Sequence, residues 1–381
     1  MGVGALICRY WPFYRDQTGP SGDHKLETLD GLRAYLALGV FFHHGVITYF
    51  WMVTGKWNYP PSTFYTLIGP SSVGVFFMIT GFLFWTKAIR GSARMPAKKL
   101  WIGRVLRVGP MYLVVSFVVF FTIFAESRFR LWGTPRELAI GLLSPLTLGL
   151  VKWQSINGIN PGLLNAEVNW TLQYEWLFYL ALPVLAILAK PSRFPLLVVA
   201  AIAVFPMANE MRAYWCGLYF LFGMAAAHSL QSFGKIPNLS SRLASLASLG
   251  LLALIPIASA YGTLTEKAVI LISLFFLFVC LVHGNTLFGI MATRGAKLLG
   301  LISYSIYLIH GFVLYLGRYP FARWLDHEPP SPTTFWIFLA FCGLASILLS
   351  AITYRLVEHP FIGLSHRLGR RLPEVKPTVE G

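Results

Sequence analysis

Apolar residues along this chain gather in long runs separated by short polar connectors, and neither a strict two-residue alternation nor a half-polar helical stripe describes them. Ten runs stand out, at 29–52, 71–86, 108–125, 170–189, 194–208, 213–229, 243–261, 268–283, 298–316 and 334–356. A hydrocarbon core about 30 Å thick is crossed by ~20 mostly apolar residues in a helix. The pattern therefore predicts an all-α, polytopic helical bundle with about ten transmembrane helices. A further stretch, 138–150, is apolar over about half a span and is interrupted by Ser144-Pro145, so it is expected as a re-entrant or interfacial piece in a long loop. Residues 28–360 then form one membrane domain. The flanks, 1–27 and 361–381, are tails too short to be domains.

Composition agrees: 56% of the 381 residues are hydrophobic and 12% charged, and mean hydropathy is +0.62. Soluble domains carry about twice that charged fraction, so a soluble fold is excluded. The rings of 12 Trp, 17 Tyr and 30 Phe suit anchoring at both lipid interfaces. A formal net charge of +16 would suggest nucleic acid in a polar chain. Here it is better explained by cytoplasmic loops facing anionic headgroups, with no nucleic-acid partner. Seven basic residues and no acid lie between Lys87 and Arg107, and no acid occurs from 31 to 125, so that loop is expected in the cytoplasm. With ten spans both termini lie inside, together with Lys190/Arg193, Lys235/Arg242, Arg294/Lys297 and the basic tail, and the loop 326–328 lies outside. Eleven spans would invert every later loop. The expected location is the cytoplasmic (inner) membrane.

Cys8, Cys216, Cys280 and Cys342 are scattered without CxxC spacing, which predicts neither a disulfide framework nor a metal site. The run Ala5 to Cys8 is too short for a signal peptide. No internal repeat, low-complexity segment or broken-helix pair in matching halves is visible, which counts against a secondary transporter.

Ionisable groups at membrane depth are costly and therefore candidates for function. Arg33 and His44 are eleven residues apart, about three helical turns, so they share a face some 16 Å long. Against this stand a snorkelling anchor for Arg33 and an interhelical hydrogen bond for His44. His43 points about 100° away and suits a structural role. Arg104 and Arg107, in RVLR, put two guanidiniums on one face, a pairing suited to phosphate and equally to positive-inside decoration. Glu175 sits in NWTLQYEWLFYL, flanked by Trp170, Trp176 and Tyr179. A carboxyl there serves acid–base chemistry or pairs with a cation on another helix. Ser303, Tyr307 and His310, at i, i+4 and i+7, share a face that an aromatic belt does not explain.

These residues together resemble the membrane acyltransferase-3 family, which O-acylates surface sugars and some antibiotics. LDGLRAYLALGVFFHH is similar to its Arg-x10-His opening helix, SSVGVFFMITGFLF to its second helix, and RVLRVGPMYL to its Arg-x-x-Arg motif. NWTLQYEWLFY resembles its acidic-aromatic helix, ISYSIYLIH its Ser-x3-Tyr-x2-His motif, and YRLVEHPF its ending. The resemblance covers nearly the whole chain in order and is closest to the stand-alone, ten-helix members. It implies acyl-CoA, usually acetyl-CoA, as cytoplasmic donor, no permanently bound cofactor, and a hydroxyl of an extracytoplasmic or lipid-linked sugar as acceptor.

Carried over residue by residue, it implies Arg33, Arg104 and Arg107 at the donor and His44, Glu175, Tyr307 and His310 in the chemistry. Trp170, Tyr179 and Ser303 are then expected along the substrate. His44 is the best-placed base, and no GxSxG elbow announces a covalent nucleophile. Glu175 and the Ser303–Tyr307–His310 face are expected toward the outer side, away from the donor arginines. A proton-coupled transporter and a flippase of a glycan or lipid-linked sugar remain the alternatives.

Overall fold

The computed structural model describes residues 1–18, 24–91 and 95–371. The helices that organise the fold are α1 (His24–Thr54), α2 (Thr63–Arg90), α3 (Ala97–Glu126), α4 (Trp170–Leu185), α5 (Arg212–Phe233), α6 (Thr263–Val282), α7 (Arg294–Leu301), α8 (Ser303–Trp324) and α9 (Pro332–Thr353). Among the described residues there is no strand, only an isolated bridge between Ile156 and Ile159. The fold is all-α, as the runs predict.

Each predicted run is helical, but among the described residues only six helices are both long and apolar enough to cross a membrane, or seven if α7 and α8 count as one span bent by 72°. Ten crossings were expected. The helices Phe194–Ala208 and Arg242–Ala258 are shorter. At 1.5 Å per residue the first reaches about 22 Å, less than the hydrocarbon thickness. The run 298–316, drawn as one span, is broken at Ile302. Within 138–150, a capped nine-residue helix, Pro135–Leu143, ends in a 3-10 turn at Ser144–Thr147, too short to cross. Outward faces stay apolar: Phe117 is 70% exposed, Phe341 68%, and Phe194–Ala208 buries none of its side chains. Water would not tolerate so much exposed hydrocarbon. This is an integral membrane protein.

The fold divides into two compact units, each discontinuous in sequence. The first comprises residues 1–43, 59–93 and 186–303. One close crossing joins α2 to α5 through glycines on both sides. A Cβ on Gly81 would stand 2.4 Å from the Phe220 carbonyl oxygen, and one on Gly223 2.1 Å from that of Met78. In lipid, where apolar side chains gain nothing by leaving the solvent, such close backbone approach is what holds helices together. The start of α1 packs on the turn before α7 and on α7 itself, with Gly31 under Met291 and Gly300 under Asp30, and Glu27 pairs with Lys297 at 2.7 Å. The N-terminal tail is helical at Gly2–Tyr10 and seats Gly4 against Gly295.

The second unit comprises residues 44–58, 94–185 and 304–381, described to 371. In it α9 passes through a π turn, Tyr354–Glu358, into the helix His359–Arg371, which packs along α3. Trp101 and Trp176 donate their indole N–H groups to the carbonyls of Tyr179 and Leu148 at 2.9 and 2.7 Å, and Tyr304 donates to Val108 at 2.9 Å. These bonds fix α3, α4 and α8 against one another and hold the polar side chains described next.

Candidate active site

Helix α8 carries His310 two turns from its start, fully buried. Its Nε2 stands 2.9 Å from Nδ1 of His44, and the rings lie 5.1 Å apart. Its Nδ1 stands 3.0 Å from the Ile306 carbonyl oxygen. A carbonyl only accepts, so His310 carries its proton on Nδ1 and, when neutral, presents a lone pair on Nε2. His44 then donates from Nδ1, which places the His44 lone pair on Nε2. That tautomer leaves His44 Nε2 able to accept a proton, with a second imidazole orienting the ring.

On its other side His44 stacks on Trp57 at 6.3 Å, and Trp57 meets Trp51 edge-on at 5.3 Å. The Arg318 guanidinium lies 4.0 Å over Trp51, 4.5 Å over Tyr315 and 4.6 Å over Tyr319. Both tyrosines donate to Glu126, at 2.7 and 3.1 Å. A ladder of rings closed by a cation and a carboxylate thus leads away from the histidine pair.

A second polar cluster gathers around α3. Tyr179 donates to Glu175 at 3.0 Å, and the Arg104 guanidinium lies 5.5 Å over the Tyr179 ring. Glu175 and Arg104, expected toward opposite sides, therefore share one tyrosine. Arg107 stands 3.2 Å from Glu358, at ion-pair distance but without hydrogen-bond alignment. The buried Glu358 carboxylate also accepts from Ser305, whose hydroxyl receives a bond from Thr353 at 3.2 Å. Tyr307 donates to the Val168 carbonyl and shares a 2.9 Å contact with Thr171, and its ring lies 6.2 Å from that of His310. Trp170 meets Tyr174 edge-on at 5.8 Å.

Two of the expected site residues belong to the first unit. Arg33 pairs with Asp30 one turn back, at 3.1 Å, and Ser303 is buried at the start of α8. His43 sets Nδ1 2.5 Å from the Tyr65 carbonyl, with its ring against Gly69, which is the structural role expected of it. No group of three or more His, Cys, Asp or Glu able to hold a metal occurs among the described residues.

A family model described as an acyltransferase domain matches residues 26–355. The chain belongs to the acyltransferase-3 family. Nodulation protein 10 of Rhizobium leguminosarum bv. viciae is 29% identical over 178 residues, a stretch covering 44% of this chain and 47% of the relative. The chain thus spans about half the length of the curated relative it matches. No solved structure matches.

In this acyltransferase-3 family member, three features went unnoticed in the sequence. Glu358 was visible only as part of YRLVEHPF, although an acid just after a 22-residue apolar helix is itself a signal. The Trp51–Trp57–Arg318 ladder joins residues some 260 positions apart, and no spacing rule reaches that far. The third feature is a pair of asparagines, Asn165 and Asn169.

Proposed function

We propose that this protein is a membrane O-acyltransferase that moves an acyl group, acetyl in the first instance, from cytoplasmic acyl-CoA to a hydroxyl of a cell-surface or lipid-linked sugar. The observation that carries this is the Ile306–His310–His44 relay, which sets a basic imidazole nitrogen inside the membrane fold of an acyltransferase-3 family member. The acceptor hydroxyl attacks the thioester carbonyl while its proton passes to His44 Nε2. The carbon–sulfur bond then breaks, and the departing thiolate takes that proton back from the imidazolium. Ester and free CoA thiol result, and the histidine ends as it began.

Arg104, beside Tyr179, supports a donor site in the second unit, where Arg107 is partly neutralised by Glu358. The ring ladder from Trp57 to Tyr319 suits the acceptor. The apolar face of a pyranose packs on aromatic rings, while Arg318 and Glu126 offer partners to its hydroxyls. The bent pair α7/α8 favours a second reading, a transporter or flippase built around a broken helix. Inverted membrane vesicles given acetyl-CoA separate the two. Free thiol released together with acetyl ester formed on the glycan fraction supports transfer, and substrate movement without thiol release supports transport.

A further inference from the structure

Asn165 is wholly buried and Asn169 is 8% exposed, yet neither the amide nitrogen nor the carbonyl oxygen of either side chain has a hydrogen-bond partner among the described residues. Four such atoms in two neighbouring side chains are exceptional. Folded proteins satisfy nearly all buried polar atoms, and an unmade bond there is destabilising. An apolar residue of the same shape would pack as well without that penalty.

Their position is informative. The segment from 165 to 171 lies along α8 on both sides of His310. A Cβ on Gly311 would stand 2.5 Å from the Asn165 carbonyl carbon, so glycine is what allows the segment to approach there. One turn earlier, Tyr307 donates to Val168 and meets Thr171. Two unsatisfied amides are therefore held beside the helix turn that presents the imidazole pair, by contacts that do not involve the amides themselves.

We propose that the Nδ2–H groups of Asn165 and Asn169 are the donors that receive the carbonyl oxygen of the acyl group as it becomes an oxyanion. The inference rests on the acyl-transfer reading above. Attack on a thioester moves an electron pair onto that oxygen, and the pair returns when the carbon–sulfur bond breaks. Preorganised donors in a dry site stabilise that intermediate without having to reorganise. Tyr307, the other donor on this face, has its hydroxyl directed to Val168, which leaves the asparagines as the amides whose hydrogen bonds the fold itself does not use.

The test takes Asn165→Leu and Asn169→Leu, which keep side-chain shape and remove both polar atoms, and Asn169→Gln, which keeps a donor. Each full-length protein is assayed in inverted membrane vesicles with radiolabelled acetyl-CoA, reading thiol release and label on the glycan fraction per folded molecule. Thermal unfolding is followed on the purified protein. The proposal expects each Leu variant to lose about 10²–10³-fold in maximal rate, with the Michaelis constant for acetyl-CoA within about threefold of wild type and Tm unchanged or higher. Asn169→Gln should regain part of the rate. Leu variants within twofold of the wild-type rate, or a loss of rate that tracks a fall in Tm, would overturn it and leave the acyl-transfer reading intact. A wild-type protein that releases no thiol from acetyl-CoA would overturn both.

Discussion

At the scale of single residues, the neighbouring His43 and His44 of α1 make different contacts. His44 belongs to the imidazole relay, and His44→Ala is expected to lower acyl transfer by about 10²–10⁴-fold at normal membrane yield, measured as acetyl ester formed per folded molecule. His310→Ala should lower it less, because the base remains but its tautomer and orientation are no longer imposed. His43 bonds the backbone at Tyr65. Its alanine variant leaves that carbonyl without its partner and is expected to cost about 1–3 kcal/mol of stability, with turnover of the folded fraction retained. Equal loss of turnover in both alanine variants would contradict this division. Glu175→Gln keeps an acceptor for the Tyr179 hydroxyl and removes the charge beside Arg104. If the carboxylate acts electrostatically, the variant folds normally and transfers slowly.

Between elements, stability comes from close backbone contact and from ion pairs. Gly81 and Gly223 let α2 and α5 touch, and a leucine at either position forces the helices apart. The expected cost is about 1–3 kcal/mol, seen as a lower Tm in detergent, while Gly217→Leu on α5, whose Cβ meets nothing within 4 Å, should be near neutral. Similar Tm values for Gly223→Leu and Gly217→Leu would show that the crossing is not tight. Within the second unit, Glu358 joins the π turn after α9 to Arg107 of α3. Arg107→Met leaves a buried carboxylate without its cation, so Arg107→Met with Glu358→Gln should be less destabilised than the sum of the two single variants. Strict additivity would mean the pair contributes no coupling.

For the molecule in its membrane, loop charge predicts that reporters fused after Gly91 and after Gly381 both signal cytoplasm. An outside signal at the second position alone would require an odd number of crossings between them. If Arg33, Arg104 and Arg107 meet CoA phosphates, their alanine variants raise the apparent Michaelis constant for acetyl-CoA, and rising salt does the same to wild type by screening. Unchanged CoA affinity in all three variants would reduce these arginines to membrane anchors.

What the sequence determined by itself is whatever hydrophobicity and local spacing control. Lipid leaves the backbone no hydrogen-bond partners, so apolar runs must be helical. The ten runs and the all-α class therefore follow from run length, the candidates on shared helix faces from helical spacing, and the motifs in order identified the family. Crossing number was less legible, because a run's apolarity does not reveal that 298–316 bends at Ile302. Partner choice was decided only in three dimensions. The approach of His44 to His310, of Arg104 to Tyr179, and of Glu358 to Arg107 depends on which helices lie side by side, and the first and third join residues more than 200 positions apart. The same holds for Asn165 and Asn169. In sequence they look like ordinary loop residues before a helix, and only burial without partners distinguishes them.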